Sequence, residues 1–158
     1  MLHITIICVG KIKEDFLKSA LKEYSKRLSK YCILNTIEIS DEKIPNSTNE
    51  KLIRQIKNIE GEKIVSNIKD SYIFSLDLNG KQFSSEEFSK KISNLSFNYS
   101  KLTFIIGGTL GLSDEVLAKS NELISFSKMT FPHQLIRVFL LEQLFRGFKI
   151  VNNETYHR

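Results

Sequence analysis

Leu102-Thr103-Phe104-Ile105-Ile106, followed at once by Gly107-Gly108-Thr109-Leu110-Gly111, is the stretch on which the fold turns. A nearly unbroken apolar run of this kind suits a strand covered on both faces, as at the centre of a parallel sheet. The glycines behind it let the backbone turn tightly or approach a ligand without a Cβ in the way. By themselves they are equally well read as a plain strand-to-helix turn.

Working outward, strands and helices alternate. Leu2 to Val9 is a β-rich apolar run ending at Gly10, and Glu14 to Tyr31 then carries Leu17, Leu21, Tyr24, Leu28 and Tyr31 at helical spacing. Asn35 to Ile39 alternates as a second strand, and the polar Asp41 to Asn49, with Pro45, reads as a loop. Ser47 with Glu50 matches a capping box ahead of a helix through Leu52, Ile56 and Ile59 that continues past Gly61 to Ile64 and Ile68. Tyr72 to Leu78 is a third strand, closed by Asn79-Gly80, and Ser84 with Glu87 caps a helix bearing Phe88, Ile92 and Leu95. Ser113 caps a short helix with Asp114 and Glu115 in its first turn, Leu123 to Phe126 is a last short strand, and the final helix starts at Pro132. This order predicts an α/β fold with a mostly parallel sheet and flanking helices, residues 1–158 forming one domain. Ligands of such folds sit beyond the carboxyl ends of the strands, where the loops after Leu76, Ile106 and Phe126 converge.

Composition narrows the function. With 158 residues, 41% hydrophobic and 26% charged, the chain has enough apolar residues for a sizeable core. No run reaches the length of a membrane span, and Met1-Leu2-His3-Ile4 does not resemble a signal peptide, so the expected location is the cytoplasm. Cys8 and Cys32 sit in apolar surroundings without ligand spacing, and His3, His133 and His157 are scattered, so no metal is expected. Neither a G-x-G-x-x-G fingerprint nor a G-x-x-x-x-G-K-[ST] loop is present. A net charge of +5 favours a polyanionic partner.

The terminal helix is apolar around most of its circumference, with Leu135, Ile136, Val138, Phe139, Leu140, Leu141, Leu144, Phe145 and Phe148. It must be covered on several sides, and a second subunit is one natural cover. Arg137 is the odd charge on a face shared with Leu141, Leu144 and Phe148. A guanidinium there needs a carboxylate or an RNA phosphate, unless it snorkels to the rim. Lys18, Lys22, Lys26 and Lys30 recur every four residues on the first helix, opposite its apolar stripe. That row is either an ordinary solvated face or, with Lys11 and Lys13, a phosphate track.

Phe104 to Gly111, the run Ser125-Phe126-Ser127-Lys128-Met129-Thr130-Phe131-Pro132-His133-Gln134, and the ending Tyr156-His157-Arg158 together resemble the bacterial large-subunit ribosomal RNA pseudouridine N3-methyltransferases. These are small members of the SPOUT class. The likeness extends through Val9-Gly10-Lys11-Ile12-Lys13, Asp41-Glu42-Lys43 and Gly80-Lys81. It implies a C-terminal trefoil knot, S-adenosylmethionine (S-adenosyl-L-methionine, SAM) as cofactor, a homodimer, and a pseudouridine of 23S rRNA as substrate. Carried over by motif, the cofactor would contact Leu76, Gly107, Phe126, Ser127, Lys128, Met129, Thr130 and Phe131, and Tyr156, His157 and Arg158 would serve catalysis. Lys18, Lys22 and Arg137 are the candidate RNA contacts. One departure stands out: the family usually carries an Arg-Gly pair and a proline in the tail, where this chain has Asn152-Asn153-Glu154-Thr155. Rival expectations are a SPOUT enzyme acting on another RNA and a non-catalytic RNA binder with the same fold.

Overall fold

The computed structural model describes residues 1–46 and 49–156. In chain order the elements are β1 (Leu2–Val9), α1 (Asp15–Leu28), β2 (Cys32–Ile39), α2 (Glu50–Asn67), β3 (Tyr72–Gln82), α3 (Ser85–Ser96), β4 (Lys101–Ile106), α4 (Asp114–Lys119), β5 (Glu122–Ser125) and α5 (His133–Val151). The strands form one five-stranded sheet in the order β2-β1-β4-β3-β5, parallel at every pairing. The apolar run quoted first is therefore the central strand, with all but its first residue buried.

Alternation along the strands sends side chains to two faces. On one, Ile4, Ile6, Cys8, Leu102, Phe104 and Ile106 join Phe74 and the inward residues of α1, α3 and α5. Phe74 and Phe104 stack at 4.9 Å there. On the other, Ile7, Val9 and Ile105 pack with Ile64, Leu112 and Val116, from α2 and from around α4. The last helix, α5, lies between α1 and α3. Cys8 and Cys32 are free and buried, and burial pushes both thiols up to about 11.

The helix starts follow local chemistry. Ser84 and Glu87 form the full reciprocal capping box, and Ser113 Oγ accepts the Val116 N–H. At α2 the cap is Asn49, whose side chain accepts the Lys51 N–H at 2.9 Å. Ser47, expected to cap this helix, lies outside the described residues, and the amide of Asn49, directly beside Glu50, takes the role. Gly61 is tolerated inside α2 because a Cβ there would overlap the Ser113 hydroxyl.

Three expected boundaries move, the first being that α1 stops at Leu28 and not at Tyr31. The second strand begins at Cys32 rather than Asn35, since pairing with β1 from Leu2↔Cys32 to Val9↔Ile39 extends it beyond its alternating part. The third strand does not close at Asn79-Gly80: Leu76 and Lys81 both pair with Ile124, and the residues between them leave the ladder and return. Gly80 serves close approach, not a hairpin turn. A Cβ at that position would lie 2.5 Å from the Ile124 carbonyl carbon.

Candidate functional site

The carboxyl ends of β3, β4 and β5 open onto a cleft of about 1050 Å³. Leu76 lines it from β3, Gly107 to Leu112 from the turn after β4, and Phe126, Ser127, Met129, Thr130 and Phe131 from the loop after β5. Seven of the eight residues assigned to cofactor binding thus share one cavity wall; Lys128 is exposed and is not part of the lining. Residues that the sequence reading did not assign to the site, among them Asp77, Asn79, Ile106, Pro132 and His133, complete it. The excursion of β3 brings in the first two, and no sequence pattern marks an excursion of this kind.

The two loops are shaped locally. In the glycine turn the Gly111 N–H donates to the Gly108 carbonyl at 3.0 Å, and Gly111 adopts φ +84° with open space where a side chain would stand. Past β5, Ser125 Oγ donates to the Ser127 carbonyl at 2.8 Å, and Ser127 Oγ accepts the Met129 N–H at 3.0 Å. These side chains brace the loop from within, leaving Met129 73% exposed. Phe131 meets Phe139 of α5 edge to face at 5.5 Å. Apolar walls with peptide groups at their edges suit a flat, amphiphilic ligand of nucleoside type.

Behind this wall His133 has its imidazole pulled below the usual histidine value, first by burial and then by the positive charge of Arg137, with Asp41 acting in the opposite sense. Arg137 has only 4% of its side chain exposed. One guanidinium nitrogen donates to Glu38 Oε2 at 2.9 Å and another to the Gly10 carbonyl at 3.1 Å, while its Nε is buried without a partner. Of the anions left open by the sequence, the one it meets is a carboxylate of its own chain, so Arg137 is not presented to RNA here. Glu38 lies 99 residues away on β2, and only the sheet register brings the two together.

A second cavity of about 490 Å³ lies against the same Ile124 to Ser127 segment, walled by Phe83, Phe88, Phe131 and Phe139 with Glu142 and Gln143. Lys18, Lys22 and Lys26 are exposed on α1, and Lys30 pairs with Glu154 at 3.3 Å. Tyr156 lies edge to face on Phe145 at 5.0 Å, under the Arg146 guanidinium, and its hydroxyl donates to Glu142 at 3.2 Å. His157 and Arg158 lie outside the described residues. Among the described residues no group of His, Cys, Asp or Glu is placed to hold a metal ion, and no helix is long and apolar enough to cross a membrane.

The same architecture occurs in known proteins. A probable methylase family protein from Haemophilus influenzae Rd KW20 superposes with a TM-score of 0.55 at 15% identity, over 98% of this chain and 70% of that one. A Legionella pneumophila protein assigned as a methyltransferase, and solved with the cofactor SAM, gives 0.50 at 17% identity over 93% of this chain and 66% of that one. At such identities the likeness is one of fold. Sequence similarity reaches further: the chain is 56% identical to the ribosomal RNA large subunit methyltransferase H of Clostridium tetani (strain Massachusetts / E88), over 99% of this chain and 100% of that one. The protein of that name from Clostridium acetobutylicum is 57% identical with the same coverage. Residues 2–157 match the family model described as predicted SPOUT methyltransferase. A match that runs through every strand and both cleft loops makes the chain a member of the SPOUT methyltransferase family.

Proposed function

We propose that this chain is a SAM-dependent methyltransferase of the large ribosomal subunit, acting in the cytoplasm on N3 of a pseudouridine in 23S rRNA. The observation that carries the reading is the convergence of Leu76, Gly107 and the Phe126 to Phe131 loop on one cleft, in a chain that aligns end to end with large-subunit rRNA methyltransferases. When bound, the sulfonium cofactor supplies an activated methyl group. The chain's own work is alignment and proton removal. Backbone groups of the 126–131 loop hold the adenosine part, and Leu76 with the glycine turn forms the opposite wall. Tyr156, His157 and Arg158 attend the acceptor, removing the imide proton and countering the charge that develops on the base. Lys18 and Lys22 contact phosphates. Arg137, occupied by Glu38 and Gly10, braces the back of the cleft beside His133.

The active form in this reading is a homodimer. The phenylalanine-walled cavity beside the cleft, together with exposed Met129 and Leu78, offers apolar surface for a second copy to cover. A C-terminal trefoil knot belongs to the same reading, supported by the close passage of Gly80 over Ile124.

Ribosomes lacking rRNA modifications, incubated with the protein and methyl-labelled SAM, should acquire label at a single pseudouridine, and titration calorimetry should register SAM binding. Heat of binding without incorporation into any rRNA would overturn the substrate assignment, and absence of both would leave a non-catalytic binder. Truncation after Thr155 should abolish turnover while leaving SAM affinity near normal.

A further inference from the structure

The tail departs from the family pattern at Asn152-Asn153-Glu154-Thr155, and the structure gives that departure a shape. Helix α5 ends at Val151, and Asn153 takes a left-handed conformation at φ 55°. Asparagine is among the few residues other than glycine that visit this region readily. The reversal is fixed by two hydrogen bonds: the Asn153 N–H donates to the Ile150 carbonyl at 3.1 Å and the Glu154 N–H to the Lys149 carbonyl at 2.9 Å. The chain is thereby turned back toward the end of α1. There the Glu154 carboxylate accepts from Lys149 Nζ at 2.5 Å, from the Tyr31 hydroxyl at 2.8 Å and from Lys30 Nζ at 3.3 Å. Two residues later Tyr156 is held by Phe145, Arg146 and Glu142.

We infer that Glu154 is a positioning residue, a clamp that ties the terminal segment to α5 and to the turn after α1 and sets how Tyr156 and the residues after it approach the acceptor base. The inference rests on the proposed role of the tail in methyl transfer. A lone exposed ion pair would do little. Here three donors, one from α5 and two from the turn after α1, meet one carboxylate, and the Lys149 hydrogen bond, then those of Tyr31 and Lys30, hold that carboxyl down at about 2, so the clamp stays charged throughout the physiological range. The clamp also has an electrostatic side. Lys30 ends the row of α1 lysines, and Glu154 neutralises it.

These two effects give E154Q a signature that loss of structure alone would not produce. Freeing the tail should lower kcat at least about tenfold, since small misplacements of reacting groups cost that much. Unmasking Lys30 and Lys149 should at the same time lower KM for the rRNA substrate and steepen its salt dependence by about one charge. Y31F, which removes a donor and no charge, should lower kcat with KM unchanged. SAM affinity, measured on each variant, should stay at the parental value, and Tm should fall only slightly, since the exposed contacts that depress the Glu154 carboxyl also favour the folded state. The inference is overturned if E154Q keeps the parental kcat while truncation after Thr155 abolishes turnover, or if E154Q loses SAM affinity along with kcat. Should the truncation itself leave turnover intact, the catalytic reading of the tail fails first, and the clamp's role fails with it.

Discussion

Removing Glu38 tests the account of Arg137 most directly. The guanidinium is 4% exposed and the carboxylate 37% exposed, so the pair is buried on one side and open on the other. In E38A the arginine keeps only the Gly10 carbonyl, and its Nε is already unpartnered. Stranding a fully buried charge costs about 3–5 kcal/mol; because water reaches the Glu38 side, about 2–3 kcal/mol is expected here. For a chain of this length that is a fall in Tm of roughly 5–10 °C. R137M, which replaces the charge by an apolar side chain of similar length, should cost only about 1 kcal/mol, because burying an ion pair yields little net stability. The double variant E38A/R137M should then match R137M alone, giving a coupling of about 2–3 kcal/mol in a cycle measured by urea denaturation. Binding of rRNA should survive R137M. Two results would refute the reasoning: E38A within about 0.5 kcal/mol of the parent, or R137M as costly as E38A. A large loss of rRNA affinity in R137M would return that residue to the RNA contacts.

The crossing of β3 over β5 predicts that G80A, whose added Cβ would strike backbone and not a yielding side chain, destabilises by about 2–3 kcal/mol in urea titration; a loss below half of that would mean the excursion relaxes freely. His133 has a folded-state value below its ordinary 6.5, so the unfolded chain binds more protons in the interval between. Its contribution to stability is therefore complete above 6.5 and lost as pH falls through the folded value, and H133Q should flatten the pH dependence of Tm across that window. On the proposed reading, K18A/K22A should weaken rRNA binding and reduce the slope of log affinity against log salt by about two charges, with SAM affinity unmoved; an unchanged slope would make the lysine row an ordinary solvated face.

The sheet was readable because its strands announce themselves locally. Leu102 to Ile106 could hardly lie anywhere but the middle of a parallel sheet, and Ser84, Glu87 and Ser113 carry their capping function in their spacing. What escaped depends on contacts distant in sequence. The ladder with β1 lengthens β2, the excursion at Asp77 to Gly80 is set by passage over Ile124, and Glu38 meets Arg137 only through the sheet. The cleft was legible in a different way. Position at the strand ends follows from the alternating order of elements, whereas the particular residues came from a resemblance, and seven of eight proved to share one cavity.

The placement of α5 between α1 and α3 has a consequence during synthesis. Until α5 is translated, part of one side of the sheet and the inner flanks of two helices have nothing to rest on, and at about 5–20 residues per second the nascent chain spends seconds with that oily surface bare. Fragments released early by stalled translation should therefore clump or seek chaperones, and solubility should appear abruptly once the closing helix clears the exit tunnel.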